Sequence, residues 1–353
     1  MKNELFSLID KLEKHHSLTS EEYQRLIDGY DSEVMAYSAE KARKLCQKCY
    51  GKDIYIRGLI EISNFCKNDC YYCGIRKSNS NCSRYRLTKD EIIECCKEGY
   101  DLGFRTFVLQ GGEDGYYTDN LLCEIISEIK RLYPDCAVTL SLGERPKESY
   151  KRLFDAGADR YLLRHETASK EHYEKLHPHS LSFERRMECL DNLKEIGYQV
   201  GCGFMVGSPY QTSRHLAREL KFIEEFAPDM CGIGPFITHK DTPFRDEKNG
   251  SAELTIFLLS LIRLIKPNIL LPATTALGTL LEDGRERGVL AGANVVMPNL
   301  SPISVRKKYM LYEGKISAGQ ESAQCISDLK ARMKEIGYEV VTSRGDAKSI
   351  SNE

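Results

Sequence analysis

Strand-like and helix-like segments alternate along most of this 353-residue chain, and that alternation limits its possible folds more than any other feature. Runs with strand character recur at intervals, and segments with helical spacing of apolar residues separate them. These runs are Ile54–Ile62, Thr106–Leu109, Ala137–Leu142, Arg160–Leu163, Gln199–Val206, Met230–Ile233, Ile269–Pro272 and Ala293–Met297. Such alternation predicts parallel strands joined by crossover helices. We therefore predict an α/β fold, specifically a complete (β/α)8 TIM-type barrel, with a six-unit open barrel as the alternative.

The N-terminal segment has a different pattern from the rest of the chain. Leu5, Leu8, Ile9 and Leu12 recur at helical spacing, and Ser20 before two glutamates is typical of a helix N-cap. We expect two or three helices before the first strand. The predicted units are a helical extension over residues 1–51, a barrel over 52–345 and a flexible tail over 346–353.

Charge and composition exclude several classes of function. The formal net charge is −2, so no basic excess indicates a nucleic-acid partner or a membrane surface. No apolar run is long enough to span a bilayer, and the acidic N-terminus lacks the apolar region of a signal peptide. Fourteen cysteines in such a chain are expected to be thiols or metal ligands in a reducing compartment. The sequence thus predicts a cytoplasmic enzyme.

Three cysteines after the first predicted strand form the most informative short motif. Cys66, Cys70 and Cys73 have the spacing C-x3-C-x2-C in the segment SNFCKNDCYYCGIR. Thiolates are the usual ligands of iron–sulfur clusters, and three of them leave one iron of a [4Fe–4S] cube open to another ligand. The loop would lie at the C-terminal end of a barrel strand, where barrels carry their active sites.

The alternatives for the triplet are a zinc site and a chance grouping of cysteines. Structural zinc usually takes four ligands in two pairs, which the triplet does not supply. Cys46 and Cys49 also form a C-x2-C pair, but two cysteines at this spacing are weak evidence for a metal site.

The triplet resembles the cysteine loop of the radical S-adenosylmethionine (SAM) superfamily. Within that superfamily the chain is similar to the HydE family of [FeFe]-hydrogenase maturation enzymes. The motifs that carry this likeness are FCKNDCYYCGIR, VLQGGED, LSLGERP, DRYLLRHETA, GIGPFITHKDTP, PATTALGT and GANVVMPN. They occur in the same order over about residues 54–312, and they are more specific than the cysteine loop alone.

The resemblance implies one [4Fe–4S] cluster on Cys66, Cys70 and Cys73, with SAM as the second cofactor. It assigns SAM contacts to residues at several strand ends. These are Tyr72, Gly111, Gly112, Glu113, Thr139, Arg164, Glu166, Arg186, Met230 and Ile233. Arg186 is expected to pair with the carboxylate of SAM, although the neighbouring Arg185 is a competing choice. Polar groups expected to face the substrate include Thr274 and Thr275, and the residues assigned to catalysis are Arg160, Tyr309 and Tyr312.

The resemblance further implies a function and its partners. The expected reaction is reductive cleavage of SAM to a 5′-deoxyadenosyl radical that acts on an iron–cysteine organometallic precursor of the hydrogenase H-cluster. An electron-donor protein and transient contacts with other maturases would follow. The alternatives are a mutase of the methylornithine type, which acts in the pyrrolysine pathway, and a non-catalytic iron–sulfur scaffold. A sulfur donor like biotin synthase is disfavoured, because TLSLGER and VLQGGED offer no further cysteines.

One departure from the family concerns a second cluster that some relatives carry near the C-terminus. Only Cys325 remains in the corresponding segment, where Ser317 and Asp328 occupy the other likely ligand positions. We therefore expect a single cluster per chain, and the roles of Cys46, Cys49 and Cys325 stay open.

Overall fold

The computed structural model describes residues 2–316 and 322–348. It begins with three helices, α1 (Lys2–His15), α2 (Ser20–Gly29) and α3 (Ser32–Tyr50). The cap of α2 is Thr19 and not Ser20: its hydroxyl accepts from Glu22 N, and the Glu22 carboxylate accepts from Thr19 N. This reciprocal capping box satisfies two backbone donors at the helix start, so the helix begins one residue earlier than a cap at Ser20 would allow.

Strands and helices alternate after the extension, as the sequence predicts. The strands are β1 (Asp53–Ile56), β2 (Gly58–Ser63), β3 (Thr106–Gly111), β4 (Ala137–Ser141), β5 (Arg160–Leu162), β6 (Gln199–Cys202), β7 (Met205–Val206), β8 (Met230–Cys231), β9 (Gly234–Pro235), β10 (Val295–Val296) and β11 (Glu339–Val341). The helices are α4 (Lys89–Asp101), α5 (Asp119–Leu132), α6 (Lys147–Asp155), α7 (Lys170–Leu176), α8 (Phe183–Ile196), α9 (Ser213–Phe226), α10 (Ala252–Ile265), α11 (Thr275–Leu280), α12 (Gly284–Leu290), α13 (Ile303–Arg306) and α14 (Ile326–Glu335).

The strands form parallel sheets. The largest has six strands in the order β2-β3-β4-β5-β6-β8, and the smaller ones are β10-β1-β11 and β7-β9. All ladder pairs between these strands are parallel, so the carboxyl ends of the strands in each sheet meet at one edge. The α/β class with a parallel sheet is confirmed.

Several predicted strands are shorter or divided in the structure. The run 54–62 is interrupted at Arg57, so that β1 pairs with β10 and β11 whereas β2 pairs with β3. The run 199–206 is interrupted at Gly203 and Phe204. The run 269–272 forms no strand of its own, but Leu270 and Pro272 make isolated parallel bridges to Met230 and Val295. Apolar patterning marks burial, and it does not show where the hydrogen-bond ladder is broken.

The helical extension covers one side of the strand-and-helix unit. Helix α10 is buried along Thr255–Ile265 and packs against α1, α3 and α9, while α2 packs against α9. Because α10 is apolar around its whole circumference, it needs such a cover on the side away from the sheet. The extension is therefore part of the hydrophobic core. Among the described residues, no helix is both long and apolar enough to cross a bilayer.

The C-terminal segment adds a strand that the pattern analysis did not include. Strand β11 pairs with β1, and the residues after it run across the N-terminal ends of the strands. There Arg160 donates to Thr106 Oγ1 at 3.0 Å and to the Arg344 carbonyl at 2.9 Å, and it also pairs with Asp346. Residues 346–348 belong to the predicted flexible tail, and here Asp346 and Ala347 contact Arg160 and Gln199 at the starts of β5 and β6. Residues 349–353 lie outside the described residues.

Candidate active site

A cavity of about 350 Å³ opens at the carboxyl ends of the strands. Cys66, Cys70 and Cys73 line it together. The opposite walls come from the ends of β3, β5, β7 and β9, from the start of α11 and from the segment after α13. The other predicted residues that line the cavity are Tyr72, Gly111, Gly112, Glu113, Arg164, Glu166, Arg186, Thr274, Thr275, Tyr309 and Tyr312. Most of the predicted site residues are therefore brought to one place.

The loop that carries the cysteines is held by its own polar side chains. Asp69 accepts from Arg76 Nε at 2.6 Å and from Ser78 N at 3.0 Å. The hydrogen bond from Arg76 holds the pKa of Asp69 well below its usual value, so this carboxylate stays charged and keeps the loop closed. These contacts therefore fix the conformation of the loop that carries the three cysteines.

The three cysteines are half-buried in the cavity wall. Burial raises the pKa of Cys66, raises that of Cys70 to about 12 and raises that of Cys73 well above its usual value. A buried thiol without a cation stays protonated, because the apolar surroundings disfavour its charge. Iron binding at these sulfurs would therefore release protons.

Glycines at the end of β3 let the backbone reach the cysteine loop. A Cβ on Gly112 would lie 2.2 Å from the Phe65 carbonyl oxygen and 2.7 Å from Cys66 Cβ, so only glycine fits. Lys67 N then donates to the Glu113 carbonyl at 2.9 Å. The Glu113 carboxylate accepts from Glu144 N at 3.0 Å, which ties the ends of β3 and β4 together.

Arg164 and Glu166 place unsatisfied polar atoms in the cavity wall. Arg164 Nη2 and Glu166 Oε2 are 3.2 Å apart, at ion-pair distance but without hydrogen-bond geometry. Arg164 Nε, Glu166 Oε2 and Thr274 Oγ1 are buried with no hydrogen-bond partner among the described residues. Buried polar atoms of this kind are costly unless something binds them. They favour a polar ligand in this cavity.

The turn that carries Glu166 is supported from behind by a buried pair. Glu166 has φ +65°, which is strained for a residue with a side chain. His165 Nδ1 accepts from Gly203 N at 3.3 Å, so its Nε2 donates to Glu219 at 2.7 Å. Glu219 also accepts from Ala168 N at 2.7 Å. His165 thus helps to fix the turn that carries Glu166.

The structure distinguishes Arg186 from Arg185. Arg186 is buried, donates to Glu144 Oε1 and to the Arg164 carbonyl at 2.6 Å each, and lines the cavity. Arg185 lies near the surface, where it pairs with Glu188 at 2.9 Å. Helix α8 begins at Phe183, and its first turn faces the cavity on one side only. Of the two arginines, Arg186 is therefore the one that lines the cavity.

Tyr72 is fixed by a neutral histidine. His177 Nδ1 donates to the Tyr173 carbonyl at 2.9 Å, which leaves Nε2 to accept from Tyr72 OH at 3.2 Å. Burial and the nearby Arg186 charge lower the pKa of His177 to about 3, so the ring is uncharged at neutral pH. This contact holds the backbone between Cys70 and Cys73.

Other predicted residues lie away from this cavity. Thr139, Arg160 and Met230 line a separate small cavity of about 10 Å³, together with Arg57 and other residues nearer the N-terminal ends of the strands. Ile233 is buried between β8 and β9 and is not part of the cavity wall, which Gly234 and Pro235 form instead. The contacts assigned to these four predicted residues stay predictions.

The cavity wall contains a charged pair that is not among the residues predicted from the sequence. Glu61 on β2 is fully buried and accepts from Asn299 Nδ2 at 3.0 Å and from Lys315 Nζ. Lys315 Nζ also donates to the Tyr309 carbonyl at 3.0 Å, and Gln110 Nε2 donates to Tyr309 OH at 3.3 Å. Residue 61 lies within an apolar strand run and Lys315 lies far along the chain, so only the fold brings them together. An acidic residue inside such a run was the available signal.

Replacing Lys315 by methionine is expected to lower the free energy of unfolding by about 3–5 kcal/mol, because Glu61 would be buried without its cation. The double variant Glu61→Gln/Lys315→Met should lose less free energy of unfolding than Lys315→Met alone, since neither charge is then present. Urea unfolding measures both, with Lys97→Met on the exposed face of α4 as the control. If the double variant lost as much free energy of unfolding as Glu61→Gln and Lys315→Met lose together, the two side chains would not form a direct pair.

Comparison with known proteins shows what this chain is similar to. A profile of the Radical SAM superfamily matches residues 60–223. The [FeFe] hydrogenase maturase subunit HydE of Thermotoga maritima is 42% identical over 343 residues, which cover 97% of each chain. The chain belongs to the HydE family of radical SAM enzymes.

A second group of relatives, the methylornithine synthases, is also similar to this HydE-family chain. The 3-methylornithine synthase of Methanosarcina barkeri is 31% identical over 307 residues, covering 86% of this chain and 85% of the other. A crystal structure of methylornithine synthase (PylB) superposes with a TM-score of 0.80 at 26% identity, covering 95% of this chain and 97% of that one. The likeness extends across the extension and the sheets together.

Enzymes of the HydE family use a [4Fe–4S] cluster and SAM, and the cavity fits both. Three thiols supply the donor set for the cluster, and the polar atoms of Arg164 and Glu166 that make no hydrogen bond suit a ligand that carries both charges. Among the described residues, no three His, Cys, Asp or Glu side chains converge as the ligands of one metal ion would. The thiolates of a [4Fe–4S] cluster bind different irons, so they lie further apart than the ligands of a single metal ion.

The remaining cysteines of interest lie outside this cavity. Cys46 is buried on α3 against Tyr50 and Tyr55, and Cys49 packs against the same cluster of side chains. Cys325 ends a short 3-10 helix, Ala323–Cys325, just before α14, whose first turn contains Asp328. Ser317 lies outside the described residues. The expectation of a single cluster stays a prediction.

Proposed function

We propose that this chain binds a [4Fe–4S] cluster through Cys66, Cys70 and Cys73 and cleaves SAM reductively. The observation that carries the proposal is the shared cavity, in which three thiols face the unsatisfied polar atoms of Arg164 and Glu166. When bound, the cluster supplies the electron that breaks the carbon–sulfur bond of SAM, giving methionine and a 5′-deoxyadenosyl radical. The rest of the chemistry depends on what the protein holds in place.

Different parts of the cavity wall bind different groups of SAM. The backbone of Gly111–Glu113 accepts from the amino group, Glu166 contacts the ribose or the amine, and Arg186 binds the carboxylate as a planar fork. Tyr72 and the segment around Gly234 receive the adenine. The buried walls exclude water, which would otherwise reach a reactive radical. Thr274, Thr275, Tyr309 and Tyr312 face the remaining space, where the second substrate would bind.

The physiological role we propose is maturation of [FeFe]-hydrogenase, with an iron–cysteine organometallic precursor as the substrate. Support comes from the full-length 42% identity with the HydE maturase of T. maritima. Transient contacts with the other maturases belong to this proposal. A cytoplasmic location also belongs to it, and it agrees with fourteen cysteines that are all free thiols.

We also propose that the strands close into a complete eight-stranded barrel. Support comes from the bridges beyond the six-stranded sheet: Met230 to Leu270, Pro272 to Val295, and Leu59 to Asn299. Together with the pairing of β1 and β10, these contacts run from β8 back to β2. A closed ring leaves no exposed edge strand.

The maturation role predicts that the cluster-loaded protein restores hydrogenase activity to a lysate that lacks only this maturase. The same protein incubated with free lysine and SAM should give no methylornithine. Hydrogen evolution and amino-acid analysis measure the two outcomes. Methylornithine formation without maturation would favour the mutase, and failure to produce 5′-deoxyadenosine in either assay would favour the scaffold.

A further inference from the structure

The charged pair of Glu61 and Lys315 lines the SAM cavity, but the proposed binding of SAM does not use it. The Glu61 side chain is 0% exposed and the Lys315 side chain is 7% exposed. Burying two charges is costly, and apolar side chains of similar size often give equal or greater stability in place of such a pair. Stability alone therefore does not account for this pair, whose contacts indicate another role.

Glu61 is fixed in place on β2 by hydrogen bonds of its backbone and its side chain. Its N–H donates to Ser301 Oγ at 2.8 Å, and its carbonyl accepts from Tyr85 OH at 2.7 Å. One carboxylate oxygen accepts from Asn299 Nδ2 at 3.0 Å, and the other accepts from Lys315 Nζ. Glu61 is therefore a rigid anchor for the lysine.

Lys315 connects this anchor to Tyr309. Its Nζ donates to the Tyr309 carbonyl at 3.0 Å as well as to the Glu61 carboxylate. The same ammonium lies 4.9 Å from the centroid of the Tyr309 ring, which is within the range of a cation–π contact. Lys315 thus contacts both the backbone and the ring of Tyr309, and it closes residues 309–315 into a loop.

The loop of residues 309–315 forms part of the cavity wall and is held at its middle and at its ends. Tyr309 and Leu311 both line the cavity. Gly74 N donates to the Leu311 carbonyl at 2.8 Å, which attaches the middle of the loop to the segment that follows the three cysteines. The two ends of the loop meet at Lys315 Nζ, so the Glu61–Lys315 pair determines where Tyr309 lies.

The Tyr309 hydroxyl lies beside Gln110, near the end of β3. Its oxygen accepts from Gln110 Nε2 at 3.3 Å, and its hydrogen has no acceptor among the described residues. Burial raises the pKa of this phenol well above its usual value, so the phenol keeps its proton at neutral pH. Because Tyr309 lines the cavity, this hydrogen is available to a ligand there.

We propose that Glu61 and Lys315 are positioning residues that hold Tyr309 so that its hydroxyl donates a hydrogen bond to the second substrate. The inference rests on the proposed function, because that substrate is the molecule that the radical from SAM attacks. A hydrogen bond from a fixed donor holds the substrate in one orientation toward the radical. The substrate must therefore present a hydrogen-bond acceptor to this wall of the cavity.

A double-mutant cycle tests the positioning role. Purified, cluster-loaded protein receives dithionite, SAM and the iron–cysteine precursor, and the amount of precursor consumed per 5′-deoxyadenosine formed is measured. Tyr309→Phe and the pair variant Glu61→Gln/Lys315→Met should each lower this ratio about 3- to 10-fold, as expected for one lost hydrogen bond. The triple variant should have the same ratio as the pair variant, because the hydroxyl that the pair positions is absent from it.

The matched control is Glu13→Gln/Lys41→Met, which removes a charged pair between α1 and α3 whose members do not line the cavity. Its ratio should equal that of the wild type. The positioning role is overturned if Tyr309→Phe or the pair variant keeps the wild-type ratio, as it would if lost stability lowered both quantities together. It is also overturned if the two effects multiply in the triple variant.

Two other outcomes concern the proposed function itself and are distinguishable from these. Wild-type protein that cleaves SAM without consuming the precursor would overturn the maturation role. Wild-type protein that forms no 5′-deoxyadenosine with dithionite would overturn the proposed SAM cleavage.

Discussion

Replacing Cys70 by alanine is expected to reduce 5′-deoxyadenosine formation to the level measured without enzyme. Three thiolates hold three irons of a cube, and two thiolates with two unligated irons do not retain it. No described cysteine outside the triplet lines the same cavity, so none is placed to replace Cys70. Iron content, the visible absorbance of the cluster and product formation with dithionite measure the effect.

The control for this variant is Cys123→Ser on α5. Cys123 is partly exposed and its Sγ contacts only the Arg152 carbonyl, at 3.7 Å, among the hydrogen bonds of the described residues. Iron content and activity should match the wild type. If Cys70→Ala kept about four irons per chain and full activity, the assignment of the cluster to this loop would be wrong.

Replacing Arg186 by methionine is expected to weaken SAM binding about 10- to 150-fold. A hydrogen bond to a charged group contributes about 1.5–3 kcal/mol, and each 1.4 kcal/mol corresponds to about a tenfold change in affinity. The variant also leaves Glu144 without its partner at 2.6 Å, so a lower melting temperature should accompany the loss. Titration of the cluster-loaded protein with SAM measures affinity, and thermal unfolding measures stability.

Arg185→Met is the matched control because it removes the same side chain one residue earlier on α8. Arg185 pairs with Glu188 on the surface, where such a pair contributes about 0–1 kcal/mol. The SAM affinity should therefore stay within about twofold of the wild type. Equal losses in the two variants would show that the helix start, and not the Arg186 side chain, determines SAM binding.

Local sequence patterns predicted most of the helices and strands, but they predicted few of the residues at which these elements begin and end. The helical extension was predicted because Leu5, Leu8, Ile9 and Leu12 recur at helical spacing, and all four are buried in the structure. The break at Arg57 was not predictable, because residues on both sides are equally apolar and strand-like. Only the neighbouring strands show that the two halves belong to different sheets.

The two halves of the site differed in how well the sequence predicted them. Cys66, Cys70 and Cys73 are close in the chain, so their spacing alone predicted their common role. Arg160 looked equally suitable as a polar residue in a barrel strand, but it begins β5 and is bound by Thr106 and the Arg344 carbonyl. Position along a strand determines which end of the fold a side chain faces, and a three-residue strand offers no pattern that reveals it.

The sequence by itself determined the fold class, the cysteine loop and the family of this protein, because each follows from short-range periodicity, residue spacing or the order of motifs. Tertiary structure alone decided that Arg186 and not Arg185 lines the cavity and that Glu61 pairs with Lys315. These contacts join residues that are up to 254 positions apart. Burial and pairing at such separations depend on how the strands and helices pack, and no local pattern contains that information.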